Sequence, residues 1–195
     1  MKPDKKTTQI PKIMDTARKE AHLIELLLVI DTEYIKSKYP NPSQNQHEPT
    51  EVSAENHYIL SNLPQLIISG QGTSCLNLKA DLADYITFRG TSLYLNTDDA
   101  VLFYNARHQS GDAVMRNFSG WITERLGAVS SNTKTINGLP AIATANRTMS
   151  FDSMILRTGE EKLSFYFALY TLADNAMDQK LYGYFSWSPT IIASK

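Results

Sequence analysis

The chain has 195 residues, of which 42% are hydrophobic and 20% are charged, which is enough apolar sequence for a substantial core. Its net charge of −1 excludes the basic excess expected of a nucleic-acid or anionic-membrane binder. The single cysteine, Cys75, excludes an intrachain disulfide. We expect a cytoplasmic protein, because the longest apolar run, residues 23–30, is too short for a membrane span and starts too late for a signal peptide.

The N-terminal part combines polar and apolar segments. Residues 1–20 are polar and predict a flexible segment, with a single β-sandwich domain over residues 21–195. The continuous apolar run 23–30 predicts a strand buried on both faces, with a buried helix as the alternative. A helical turn is predicted for 32–38. Residues 39–55 are rich in Pro, Asn and Gln, and predict an exposed functional or mobile loop that adds little to core stability.

Short strands separated by polar turns follow. Gly70-Gln71-Gly72 suits the positive φ angles of a tight turn, because glycine has no Cβ. Residues 85–89 alternate in polarity, and residues 96–99 form a loop tip before an apolar strand at 100–104. We predict a strand at 118–126, a polar loop at 127–139 and a weak strand at 148–156.

The clearest alternation lies near the C-terminus, where 163–172 and 181–187 are predicted to form a hairpin. Eight or nine short strands without helical periodicity predict an all-β fold: an antiparallel β-sandwich of the jelly-roll or immunoglobulin-like Greek-key type, with short helical turns at most. The predicted core residues, which share a period-2 phase, are Leu27, Val29, Phe88, Val101, Phe165, Phe167, Leu169 and Phe185.

Patterns for catalysis and metal binding are sparse. The four histidines lack metal-ligand spacing, and we find no nucleophile or phosphate-binding motif. Cys75 is predicted to be a small buried hydrophobe rather than a copper ligand. Asn96, Asp98 and Asp99 offer oxygen ligands for calcium, but a solvated turn is favoured. We therefore predict no catalytic residue, no metal and no cofactor.

Aromatic residues beside polar loops indicate a carbohydrate site, because the C–H faces of a sugar stack on a ring while its hydroxyls form hydrogen bonds. The candidate ligand-binding residues are Trp121, Tyr94, Asn96, Asp98 and Asp99, and the expected ligand is a neutral glycan. Core packing is the alternative interpretation for the tryptophans. It is favoured for Trp187, whereas for Trp121 both interpretations stay open.

Six short motifs occur in order along the chain: Asp31-Thr32, Tyr39-Pro40-Asn41-Pro42, Gly70-Gln71-Gly72-Thr73, Phe88-Arg89-Gly90-Thr91-Ser92, Asp98-Asp99-Ala100-Val101 and Gly183-Tyr184-Phe185-Ser186-Trp187-Ser188-Pro189-Thr190. Through them, the chain from about residue 23 onward resembles the AidA/PixA-type family of bacterial inclusion-body proteins. The resemblance implies a small, non-secreted protein that accumulates in quantity, often under cell-density control, in host-associated bacteria. It brings no catalytic residues. One departure is Ala83, where the family pattern has glycine, so the geometry of that turn stays open.

Three classes of function remain. A self-associating inclusion-body protein without enzymatic activity comes first, because the resemblance and the missing catalytic motifs agree. A lectin-like carbohydrate-binding protein comes second, and an enzyme that uses acid–base pairs across loops comes third. The predicted partner is a second copy of the chain, in a homodimer formed by edge pairing, since a sandwich leaves edge strands that must be covered.

Overall fold

The computed structural model describes residues 21–195, so the predicted flexible segment 1–20 lies outside the described residues. The all-β prediction is confirmed, and no helix of the described chain is long and apolar enough to cross a membrane. The elements are β1 (Leu23–Ile30), α1 (Thr32–Lys38), β2 (Thr50–Val52), β3 (His57–Ser61), a 3₁₀ turn (Pro64–Leu66), β4 (Ile67–Ser69), β5 (Cys75–Lys79), β6 (Tyr85–Ser92), β7 (Ala100–Gly111), β8 (Ser119–Ser130), β9 (Ile142–Met154), β10 (Gly159–Leu172), β11 (Gln179–Trp187) and β12 (Thr190–Ser194).

The strands form two sheets. The five-stranded sheet has the order β3-β1-β6-β9-β8, and the seven-stranded sheet has the order β2-β11-β10-β12-β5-β4, with β7 also paired to β10. Most neighbouring strands are antiparallel, but β1–β6, β11–β2 and β12–β5 are parallel. The sandwich is therefore mixed rather than purely antiparallel. Local alternation could not reveal this, because it reports which face a side chain occupies and carries no information on strand direction.

The core lies between the two sheets, where the Phe88 ring of β6 packs 5.0 Å from the Phe165 ring of β10. Seven of the eight predicted core residues are buried. Leu27 is the exception: it is 38% exposed and pairs with Leu60 on the outer face of β1. The prediction was wrong for Leu27 because β1 is apolar on both faces, so its pattern did not show that Leu26 and Leu28 face the core.

Residues 39–55 dock onto the seven-stranded sheet and do not form a free loop. β2 pairs with β11, and the backbone N–H of Ser53 donates to the Tyr39 hydroxyl at 3.0 Å. Gly183 in β11 leaves the space for this contact, since a Cβ at that position would lie 2.5 Å from Cγ of Pro42. The motifs that contain Pro42 and Gly183, far apart in sequence, are therefore two sides of one contact.

Positive φ angles occur in the two turns that the sequence singled out. Gly70 and Gly72 have φ angles of 84° and 74°, as predicted. Ala83 has a φ of 72°, and its N–H donates to the Ile155 carbonyl at 3.0 Å. The turn therefore keeps a conformation that suits glycine while carrying an alanine, which costs about 1–2 kcal/mol.

The strands of the β8–β9 hairpin are longer than predicted. β8 continues through Ser130, into the region predicted as a loop, and β9 begins at Ile142 rather than at residue 148. Neither strand is strongly apolar in this region, because both faces of the hairpin are exposed there. The alternation that signals a half-buried strand is consequently missing from the sequence.

Candidate ligand-binding site

The turn at residues 94–99 is stabilised by its own side chains. The Asn96 side-chain oxygen accepts hydrogen bonds from the backbone N–H groups of Ser92 and Val101, both at 3.0 Å. Its side-chain nitrogen donates to the Val101 carbonyl at 3.3 Å. Asn96 itself has a φ of 60°, which asparagine tolerates better than most residues. The amide that the sequence offered as a ligand contact is therefore engaged in shaping the turn.

Asp99 anchors the same turn to α1. Its side chain is only 3% exposed and forms an ion pair with Lys36 Nζ at 2.7 Å. Burial lowers the pKa of Lys36, but the contacts with Asp99 and Glu33 outweigh this effect and raise it above its ordinary value. The prediction of a solvated turn is thus wrong for Asp99, although Asp98 is exposed as expected.

Tyr94 is the exposed ring of this turn, and its hydroxyl donates to Glu33 at 3.5 Å. The negative charge of Glu33 raises the pKa of Tyr94. Four of the five candidate residues therefore share one turn beside α1. The structure does not group Trp121 with them.

Trp121 lies in a groove on the outer face of the five-stranded sheet, where its side chain is 60% exposed. The groove has a volume of about 360 Å³ and is also lined by Tyr85 and Thr87 from the beginning of β6. Tyr94 follows the opposite end of that strand. Trp121 is therefore a surface residue rather than part of the core, and its neighbours differ from those proposed from the sequence.

The Trp121 groove combines two exposed rings with polar groups. Tyr85 supplies the second ring, while Arg116, Asn117 and Asp152 supply hydrogen-bonding groups. The Oδ1 atom of Asp152 is buried and has no hydrogen-bond partner among the described residues. Because this atom has almost no accessible surface, it is not itself a contact for a ligand, and the exposed rings and the other polar groups form the accessible lining of the groove.

The sequence did not identify these neighbours of Trp121. The alternation of residues 85–89 does place Tyr85 on an outward face. This was the one sequence feature that could have indicated Tyr85 as a neighbour of Trp121. The position of Asp152 opposite Ser119, two residues before Trp121, depends on the register between β8 and β9. That register could not be read from the sequence, because the limits of both strands were not visible.

A second aromatic cluster lies on the seven-stranded sheet. The Tyr104 ring is 6.1 Å from Tyr166 and 5.9 Å from Tyr184, and the Arg107 guanidinium stacks 4.8 Å from the Tyr166 ring centre. The Tyr104 hydroxyl donates to the Gln46 carbonyl at 2.8 Å, and burial raises its pKa to about 12. These contacts fix residues 39–55 to the sheet, so we interpret the cluster as structural.

One group of the described residues has the composition of a metal site: His22, Asp81 and Asp84, whose ligand atoms lie within 4.8 Å of one another. Asp84 is buried and already accepts hydrogen bonds from the backbone N–H groups of His22 and Asp81, both at 2.8 Å. This carboxylate therefore organises the strained turn at Ala83. Cys75 is exposed, so its predicted burial was wrong.

His57 is a histidine that is buried in the interior of the protein. It is 1% exposed, and its ring meets the Trp187 ring edge-to-face at 5.4 Å, which confirms Trp187 as a core residue. Neither His57 ring nitrogen has a hydrogen-bond partner in the described part of the chain. Burial lowers the pKa of His57 to about 4. The imidazole is consequently neutral at physiological pH.

Comparisons with known proteins agree on one family. The profile of the PixA family, described as inclusion body protein, matches residues 22–192. A crystal structure of an inclusion body protein of the PixA family from Burkholderia cenocepacia is 36% identical, with a TM-score of 0.78. That alignment covers 91% of this chain and 99% of the other. No curated protein matches.

Proposed function

Because the chain belongs to the PixA family of inclusion body proteins, we propose that it is a non-enzymatic protein that self-associates and accumulates in the cytoplasm. Control by cell density and a role in a host-associated bacterium belong to the same proposal, and only the family resemblance supports them. The observation that supports self-association is the apolar surface of β8, where Ile122, Leu126 and Val129 are 72%, 75% and 84% exposed. Large apolar side chains exposed along one strand are typical of an interaction surface.

Sedimentation velocity of the purified protein over a wide concentration range tests self-association. We expect a mass above the 21.9 kDa of one chain, rising with concentration and persisting in high salt, because the proposed contacts are mainly apolar. A mass of 21.9 kDa at every concentration would contradict the proposal.

A lectin-like function is the second candidate, and the Trp121 groove favours it. The exposed ring of Trp121 can stack on a sugar, and the side chains of Arg116 and Asn117 in the same groove can form hydrogen bonds with its hydroxyls. A neutral glycan suits the groove, because Arg116 and Asp152 give its lining one charge of each sign and no excess that would attract an ionic ligand. Tyr94 and the turn 94–99 form the alternative binding site from the sequence.

Isothermal titration calorimetry with a panel of neutral sugars tests this candidate. We expect wild-type binding to weaken about two- to tenfold in Trp121→Ala, since an aromatic contact contributes about 0.5–1.5 kcal/mol. Tyr94→Ala serves as the matched control and should bind normally. Binding lost in Tyr94→Ala but kept in Trp121→Ala would move the site to the turn, and no binding by the wild type would exclude the lectin-like function.

A further inference from the structure

The β8–β9 arm, defined as residues 122–149, extends beyond the body of the five-stranded sheet. Only residues 150–154 of β9 pair with β6, so residues 142–149 pair with β8 alone among the described strands. Almost every side chain of β8 is exposed, on both faces. A hairpin of two strands is marginally stable in water without a third strand or a packed face. The arm therefore lacks the contacts that normally stabilise a sheet.

β8 is also an edge of its sheet. A sheet edge presents unpaired N–H and C=O groups, and native proteins protect such edges with bulges, prolines or charged side chains, lysine above all. β8 contains neither proline nor lysine, its two charged residues, Glu124 and Arg125, lie next to each other, and its pairing with β9 shifts only after Arg125. Residues 119–125 are thus a regular, open edge. The other long edge, β7, differs because Val101 and Phe103 bury one of its faces.

We propose that residues 119–125 pair antiparallel with the same residues of a second copy, about a two-fold axis at Ile122. The pairing joins two five-stranded sheets into one continuous sheet. This inference rests on the proposed self-association, and it assigns the contact between the two copies to β8. An open strand edge needs another strand as its partner, and a two-fold axis lets one chain provide both halves of the interface.

The charges of β8 fit this register. Antiparallel pairing about Ile122 sets Glu124 opposite Gly120 and Arg125 opposite Ser119, so no like charges face each other. Arg125 makes no ion pair within residues 21–195, and its guanidinium donates only to the Glu124 carbonyl, at 3.2 Å. In the dimer it lies diagonal to the partner's Trp121, within reach of a cation–π contact. The exposed side chain of Ile122 then packs against Ile122 of the second copy.

The Ile122→Lys variant tests the pairing in the full chain, with Ile136→Lys as the matched control. Ile136 is the same residue type on the same arm, fully exposed, but outside residues 119–125. By sedimentation velocity we expect a wild-type dimer, at least a tenfold higher dissociation constant for Ile122→Lys because two ammonium groups meet at the axis, and no change for Ile136→Lys. Circular dichroism confirms that each variant is folded.

Each outcome decides between the claims. A monomeric wild type overturns both this inference and the proposed self-association. An oligomer that Ile122→Lys leaves intact overturns the inference alone, as does one that Ile136→Lys weakens equally. If Ile122→Lys does not fold, hydrogen exchange of the wild type decides: amides of residues 119–125 must gain protection as concentration rises, and protection independent of concentration overturns the pairing.

Discussion

We predict that buried His57 makes the protein sensitive to mild acid. Its pKa is about 4 in the folded protein, against an ordinary value of 6.5 in the unfolded chain. Between these two values, the unfolded state takes up a proton that the folded state does not, so the free energy of unfolding falls as pH decreases. The contribution of His57 is fully present above pH 6.5 and is lost as pH falls towards 4.

The size of the effect follows from the two pKa values. The protonation difference reduces the free energy of unfolding by about 2 kcal/mol at pH 5 and by about 3 kcal/mol at pH 4, relative to pH 7. This is a large part of the stability of an ordinary domain. Carboxyl groups in general also take up protons in acid, so the prediction concerns only the difference between the wild type and a variant without the imidazole.

Urea unfolding measured by tryptophan fluorescence, at intervals from pH 7 to pH 4, provides the assay. His57→Leu keeps a similar volume beside Trp187 and removes two unpartnered nitrogens, so we expect a much flatter pH dependence. His47→Leu, which changes an exposed histidine, is the control and should follow the wild type. If His57→Leu loses stability in parallel with the wild type over this range, the neutral buried imidazole is refuted as the cause.

Three further predictions concern stability at neutral pH and are measured by the same urea unfolding. Ala83→Gly should stabilise by about 0.5–1 kcal/mol, because relief of the positive φ exceeds the added entropy of the unfolded chain; a loss of stability would contradict this. Lys36→Met should destabilise by about 2 kcal/mol, since Asp99 is left buried and unpaired, and an unchanged midpoint would refute the ion pair's role. Gly183→Ala should cost about 1–3 kcal/mol and expose the segment around Pro42 to proteases, whereas unaltered digestion would contradict the docking contact.

The sequence predicted the fold best where apolar residues fill one face of a strand and the other face is mixed. The alternation around Phe165, Phe167 and Phe185 placed all three correctly in the core, because one face of each strand is apolar and the other is mixed. Leu27 shows the limit of this reasoning. When both faces of a strand carry apolar residues, the sequence pattern does not show which face is turned towards the core. The relative direction of neighbouring strands, including the parallel pairs, could not be predicted from the sequence, because it depends on contacts between distant parts of the chain.

The candidate site was predicted less well, for a different reason. The sequence left core packing and ligand binding both open for Trp121, and no feature of the sequence supported grouping Trp121 with Tyr94. In the structure, Tyr85 and Asp152 beside Trp121 come from strands paired with β8 directly or through β9, and Asp152 enters the groove only through the register of the hairpin. Proximity in sequence explains the 94–99 turn, where Asn96 bonds to residues four and five positions away.

The position of β12 has a consequence for how the chain is made. β12 is the last strand in chain order, yet it lies inside the seven-stranded sheet, between β10 and β5. Its parallel partner β5 begins at Cys75, which pairs with Thr190. More than a hundred residues must therefore be synthesised after β5 before its neighbour β12 exists. Pairings of such long sequence separation form slowly. We therefore expect the sheet to close only once β12 has been translated, and one edge of β5 in the nascent chain to stay unpaired until then.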